Sequence, residues 1–246
     1  MITHERDAEG IAHIRMRDQE RNNVFSDELI HGIIDAIDQL ESDKRTKVAI
    51  LEGLPDVFSG GAEKETLLAL AEGELRVKDL LISERLIASE FPIIAAMEGH
   101  AVGGGFVMAL CCDIVIAARE SRFGTVFMNM GFTPGMGCTT LLSSLVGPFV
   151  ANEMMYTGKR FRGAELAEKS TNINYILPRS KVAQKAHDLA LQIAEKNVAS
   201  IHLLKYALSA SKRKLLVDAR LQEDLMHRLS FGFPETREVI DGFYVE

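Results

Sequence analysis

No stretch of this chain reaches the roughly 20 consecutive apolar residues that a bilayer-spanning helix needs. The opening, Met1-Ile-Thr-His-Glu-Arg-Asp7, lacks the basic and apolar regions of a secretory signal. The chain is therefore expected in the cytoplasm, with no membrane partner. Cysteine is scarce, and Cys111, Cys112 and Cys138 show no paired spacing of the kind that holds zinc. They read as buried, reduced thiols, and no metal is expected. Positive charge is the minority sign: 28 Lys and Arg against 35 Asp and Glu leave a net charge of −7, which argues against a nucleic-acid binder. A dinucleotide fingerprint is missing from the first strand-to-helix turn, as is the lysine and hydroxyl of a phosphate-binding loop. The chain also lacks low-complexity segments.

What remains is a chain of 246 residues, 47% hydrophobic, long enough to bury a substantial core. Residues 10–16 alternate apolar and polar as a half-buried strand does. Ser26 can cap a helix from Asp27 that places Ile30, Ile33, Ile34 and Ile37 at helical spacing. Val48–Leu51, Pro92–Met97 and Asp113–Ala118 are short apolar runs typical of buried strands. Helical patterns fall around Thr66–Ala71, over Leu80–Ser89 and from Phe106, and the charged stretch 72–79 reads as a mobile segment. This alternation predicts an α/β fold. Beyond about residue 180 only helices are predicted, so the chain divides into a core over 1–180 and a helical region over 181–246. The Lys212-Arg-Lys214 cluster reads as a solvated helix end, and Met97, Met108, Met128, Met130 and Met136 as packing residues around a pocket.

Two segments carry chemistry: Phe58-Ser-Gly-Gly-Ala62 and His100-Ala-Val-Gly-Gly-Gly105. Each follows a predicted strand and precedes a predicted helix. The first amides of a helix have no intrahelical acceptor and sit at its positive end. Glycine lets a ligand come close to them, so two such turns facing one point would hold a developing oxyanion.

Val57-Phe-Ser-Gly-Gly-Ala-Glu63 and Pro92-Ile-Ile-Ala-Ala-Met-Glu-Gly-His-Ala-Val-Gly-Gly-Gly105 resemble the two oxyanion turns of the crotonase (enoyl-CoA hydratase/isomerase) superfamily. Cys112–Ala118, Phe123-Gly124, Gly131–Gly137 and Tyr156-Thr-Gly158 fall in that family's order and spacing. The resemblance implies a spiral of ββα units with a helical C-terminal region that builds homotrimers. It also implies an oxyanion hole at the backbone N–H groups of Ala62 and Gly104, and an acyl substrate carried on phosphopantetheine or CoA with no further cofactor.

The chain departs from a hydratase at two places. The family's catalytic glutamates map onto Val107, two residues past the glycine run, and Phe127, three past Phe123-Gly124. Neither side chain holds a proton, so hydration is not expected and both become pocket lining. Ile93–His100, Asn129–Gly135, Phe161-Arg-Gly163 and Glu223–Phe231 resemble the decarboxylases of polyketide β-branching cassettes. That likeness implies decarboxylation of a 3-methylglutaconyl group bound to an acyl carrier protein. It also implies a catalytic histidine at His227 and a catalytic lysine, for which Lys78 is chosen and Lys64 is the runner-up. Glu223 and Asp224, on the same helix, would favour a charged His227 if they face it. His100 reads as a structural histidine. Another acyl-CoA lyase or isomerase, or a non-catalytic thioester-binding homologue, are the alternatives.

Overall fold

A computed structural model of the protein describes residues 1–75 and 80–243. In chain order the strands are β1 (Ile2–Arg6), β2 (Ile11–Met16), β3 (Val24–Phe25), β4 (Val48–Glu52), β5 (Val57–Ser59), β6 (Gly61–Ala62), β7 (Ile93–Met97), β8 (His100–Val102), β9 (Ile114–Ala118), β10 (Arg122–Gly124), β11 (Phe161–Arg162) and β12 (Tyr175–Leu177). The helices are α1 (Asp27–Ser42), α2 (Lys64–Glu72), α3 (Ile82–Ile87), α4 (Gly104–Cys111), α5 (Cys138–Val146), α6 (Pro148–Thr157), α7 (Gly163–Glu168), α8 (Val182–Ala194), α9 (Val198–Ser230) and α10 (Pro234–Phe243).

Six strands form one sheet in the order β1-β2-β4-β7-β9-β12, antiparallel only at β1–β2. The apolar runs of β4, β7 and β9 follow from burial on both faces, since alternate residues of a strand point to opposite sides. Ala49, Leu51, Ile93, Ala95 and Met97 join the main core, which includes Leu29, Ile33 and Ile37 of α1. Val48, Ile50, Ile94, Ala96 and Ile116 pack instead with Val182, Ala186 and Ala190 of α8. The first helix of the C-terminal region thus closes the outer face of the sheet. Ser26 caps α1, its Oγ accepting from the Leu29 N–H at 3.2 Å.

A second sheet of four short strands runs β11-β10-β8-β5, and β3 pairs with β6. The ββα unit therefore recurs: β4 leads through β5 and β6 into α2, and β7 through β8 into α4. Helix α4 is buried along its whole length, as expected of a helix apolar on every side.

Helix α9 runs for 33 residues from an Asn197 cap. Its first half is held by buried Lys205, whose Nζ lies 2.8 Å from both carboxylate oxygens of Asp113. Lys212 is not at a solvated helix end: its Nζ donates to the Leu110 and Cys112 carbonyls at the C-terminus of α4, where the helix dipole favours a cation.

Candidate active site

The topology brings the two glycine turns together. Strands β5 and β8 are parallel neighbours, with Val57 opposite His100 and Ser59 opposite Ala101, so both turns leave the sheet at the same end of their strands. Gly61 has φ +86°, and a Cβ there would lie 2.7 Å from the Val102 carbonyl oxygen and 3.6 Å from the Gly104 nitrogen. The turns are in backbone contact, which only glycine permits. Gly103, at φ +56°, starts the second turn and donates its N–H to the Gly124 carbonyl at 2.8 Å. The Phe106 and Val107 amides return to the Gly103 carbonyl, both at 3.1 Å. The Gly104 amide stands one step ahead of these, at the positive end of α4.

Ala62 and Gly104 wall one cavity of about 40 Å³, with Phe25, Leu67, Leu70, Phe127, Phe132 and Met136 among its apolar sides. This space holds a few waters at most, so an acyl chain must displace side chains to enter. Phe127 is one of the residues that wall the cavity. Val107 is fully buried within α4 and is not among the residues that wall the space. Among the described lining residues, Thr66 and His227 bring the side-chain polar groups, and none brings a carboxyl group. Thr66 was not selected from the sequence. Its signal was its place four residues past Ala62, where the first turn of α2 brings it back over the glycine turn.

His227 enters the cavity from the far end of α9 and is 7% exposed. Its Nε2 lies 2.8 Å from the Thr133 carbonyl oxygen. A carbonyl only accepts, so Nε2 carries the proton and a neutral ring keeps a lone pair on Nδ1. Burial pushes its pKa below the ordinary 6.5; the Thr133 carbonyl, Glu223 and Asp224 oppose that shift without reversing it. The two helix neighbours do favour the charged form, as expected of carboxylates that face the ring, but burial outweighs them. Each carboxylate is engaged elsewhere: Glu223 with Gly137 and Thr139, and Asp224 with Arg228 at 2.8 Å. An aromatic series leads from the cavity wall to the ring, with Phe127–Phe132 centroids 5.9 Å apart, Phe132–Phe231 4.6 Å and Phe231–His227 5.6 Å.

Lys78, the expected catalytic lysine, lies outside the described residues. Lys64, the runner-up, is the first residue of α2 and its Nζ lies 3.0 Å from an Asp241 carboxylate oxygen on α10. His100 is structural, its Nδ1 accepting the Arg122 backbone N–H at 2.8 Å. Burial drives the Cys111 thiol up to about 11 and raises those of Cys112 and Cys138 well above the usual thiol range, so all three are packing groups. Met97 and Met108 are fully buried and Met136 walls the cavity, whereas Met128 is exposed. Among the described residues no cluster of His, Cys, Asp and Glu is arranged to hold a metal, and no helix is long and apolar enough to cross a membrane.

Residues 6–245 match the family model of enoyl-CoA hydratase/isomerase, and the chain belongs to that family. Within it, the chain is 37% identical over 234 residues to the bacillaene synthase decarboxylase PksI of Bacillus subtilis (strain 168), covering 95% of this chain and 94% of that one. It is 30% identical over 222 residues to a probable mitochondrial enoyl-CoA hydratase of Dictyostelium discoideum, covering 90% and 80%. Among solved structures, one from a dehydratase/decarboxylase enzyme couple of polyketide β-branching superposes with a TM-score of 0.96 at 35% identity, over 100% of this chain and 99% of that one. The ECH2 decarboxylase domain of CurF from Lyngbya majuscula superposes with a TM-score of 0.93 at 34% identity, over 99% of each chain. The expected crotonase-type α/β fold is borne out.

Proposed function

We propose that the protein is a lyase of polyketide biosynthesis that decarboxylates a 3-methylglutaconyl thioester on an acyl carrier protein. The observation that carries this reading is an apolar cavity with two glycine turns at its end and no carboxyl group on its described walls. Hydration needs a side chain that takes a proton from water and another that gives one back; Phe127 does neither. Decarboxylation needs a sink for an electron pair, and the kinship with PksI and the CurF domain supports it.

The bond from the γ-carbon to the carboxylate breaks and carbon dioxide leaves. The electron pair moves through the double bond onto the thioester oxygen. There the Ala62 and Gly104 amides stabilise the dienolate, each such donor being worth about 3 kcal/mol. The apolar walls give the substrate carboxylate little solvation, and the neutral product gas needs none. Protonation at the γ-carbon gives 3-methylcrotonyl, and at the α-carbon its β,γ isomer.

His227 is neutral before substrate arrives, and an entering carboxylate raises its pKa as any opposite charge does. The ring takes a proton from solvent at Nδ1 with the anion beside it, then passes that proton to the dienolate and returns to its neutral form. Lys78 is assigned a second contact to the carboxylate. The phosphopantetheine arm comes with the substrate, and the electron count calls for no metal or redox partner. We place the exposed Leu221, Leu225 and Leu229 of α9, one face at i, i+4 and i+8, against a neighbouring copy in a cytoplasmic homotrimer.

The test is release of carbon dioxide from purified protein and the loaded carrier, beside the same acyl group on CoA. Release from the carrier is expected, with slower release from CoA. No release, beside a decarboxylase that turns over the same sample, would end the reading.

A further inference from the structure

His227 shares its helix face with two other buried polar side chains. Glu223, His227 and Ser230 lie at i, i+4 and i+7 on α9, and all three grip the segment from Thr133 to Thr139. Ser230 Oγ accepts the Thr133 N–H at 3.3 Å, and His227 Nε2 donates to the Thr133 carbonyl at 2.8 Å. At the other end, one oxygen of Glu223 accepts the Gly137 N–H at 2.7 Å. Its second oxygen accepts the Thr139 N–H at 2.9 Å and the Thr139 hydroxyl at 2.7 Å. Between the two anchors lie Gly135 and Met136, which wall the cavity.

A glutamate side chain that is 2% exposed needs hydrogen-bond donors around both of its oxygens. Here those donors start α5, whose N-cap is Gly137, a residue without a capping side chain. Gly137 sits at φ +89°, and a Cβ there would lie 2.5 Å from Leu216 Cδ1, so the helix has no room for a capping side chain of its own at that position. Taking the cap from 86 residues away instead ties the cavity wall to the helix that carries His227.

We propose that Glu223 is a positioning residue for the reaction: it holds the Gly135–Met136 wall against α9 and so fixes His227 in one tautomer facing the glycine turns. The role rests on the decarboxylase reading, but its structural part is testable without substrate. In Glu223→Gln the amide oxygen still accepts one N–H, while the amide nitrogen meets a second donor and repels it. The Thr133 carbonyl then shifts relative to α9, and the imidazole loses its fixed partner.

The experiment compares wild type, Glu223→Gln, Thr139→Val and Thr139→Ser. It reads kcat, KM and the long-range nitrogen–proton spectrum of the His227 ring. For folded Glu223→Gln the expected result is a fall in kcat of about 10- to 100-fold with a small change in KM, and a mixture of tautomers where wild type shows Nε2–H alone. Thr139→Val, which loses one of the three bonds, gives a smaller change in the same direction and carries the test if Glu223→Gln does not fold. Thr139→Ser restores wild-type behaviour. Unchanged kcat and an unchanged ring spectrum in the folded variants would overturn the role of Glu223. A wild-type protein inert toward the loaded carrier would overturn the decarboxylase reading instead, leaving the ring spectra to decide whether Glu223 positions His227.

Discussion

Replacing Gly61 by alanine tests the convergence of the two turns. Gly61 sits at φ +86°, so any L side chain there costs about 1–2 kcal/mol of backbone strain. The new Cβ also falls 2.7 Å from the Val102 carbonyl oxygen, closer than carbon and oxygen tolerate, and the atom it meets is main chain. The second turn must therefore move away, and the Gly104 amide two residues on moves with it. An oxyanion donor works at about 2.7–3.1 Å, and losing one costs roughly 10²- to 10³-fold in kcat. Gly147→Ala supplies the control. Gly147 has φ +82° but nothing within 4 Å of its Cβ, so it brings strain of about 1–3 kcal/mol without displacing a neighbour. Both variants lower the urea midpoint, whereas kcat with the loaded carrier collapses only in Gly61→Ala. Full kcat in a folded Gly61→Ala protein would refute the reasoning.

Two further outcomes follow from buried charges. Because burial holds the His227 pKa below 6.5, the unfolded chain takes up that proton first as pH falls. The stability linked to this ring is complete above about pH 6.5; it is lost as pH drops from there through the lower folded value, and urea titrations of His227→Gln lack that component. Lys205→Ala leaves Asp113 without its buried cation and costs about 3 kcal/mol. For a chain of this size that lowers Tm by roughly 6–12 °C; a calorimetric shift under two degrees counts against the pairing.

The inner strands were legible because two-sided burial leaves them apolar at nearly every position. The α1 cap was legible because serine before a periodic apolar pattern has few other readings. The glycine turns were legible individually, and β5–β8 pairing is what joins them. Strand β1, an antiparallel edge with the pattern Ile-Thr-His-Glu-Arg, carries too little apolar signal to be read. Strand β12 is short and half-buried, and its place beside β9 is set by tertiary pairing. The bounds of α9 are not legible in its first half because the apolar residues there lie partly outward, with Leu203, Leu204 and Leu208 exposed, while a lysine, Lys205, turns inward. Glu223 was read only as a neighbour that would favour a charged His227 if it faced the ring, since helix spacing reveals shared faces but not partners across the fold. Its donors, Gly137 and Thr139, belong to a segment more than 80 positions earlier in the chain. Val107 was read as pocket lining from the resemblance, yet its side chain is buried in the core and Phe127 lines the cavity instead.

The most direct measurement is a crystal structure of the protein with a stable analogue of the 3-methylglutaconyl thioester. The account predicts the thioester oxygen within about 2.7–3.1 Å of both the Ala62 and Gly104 nitrogens, with Phe127 against the acyl chain and His227 beside the distal carboxylate. A thioester oxygen bound away from those two amides, or a protein carboxyl group against the reacting carbons, would contradict it.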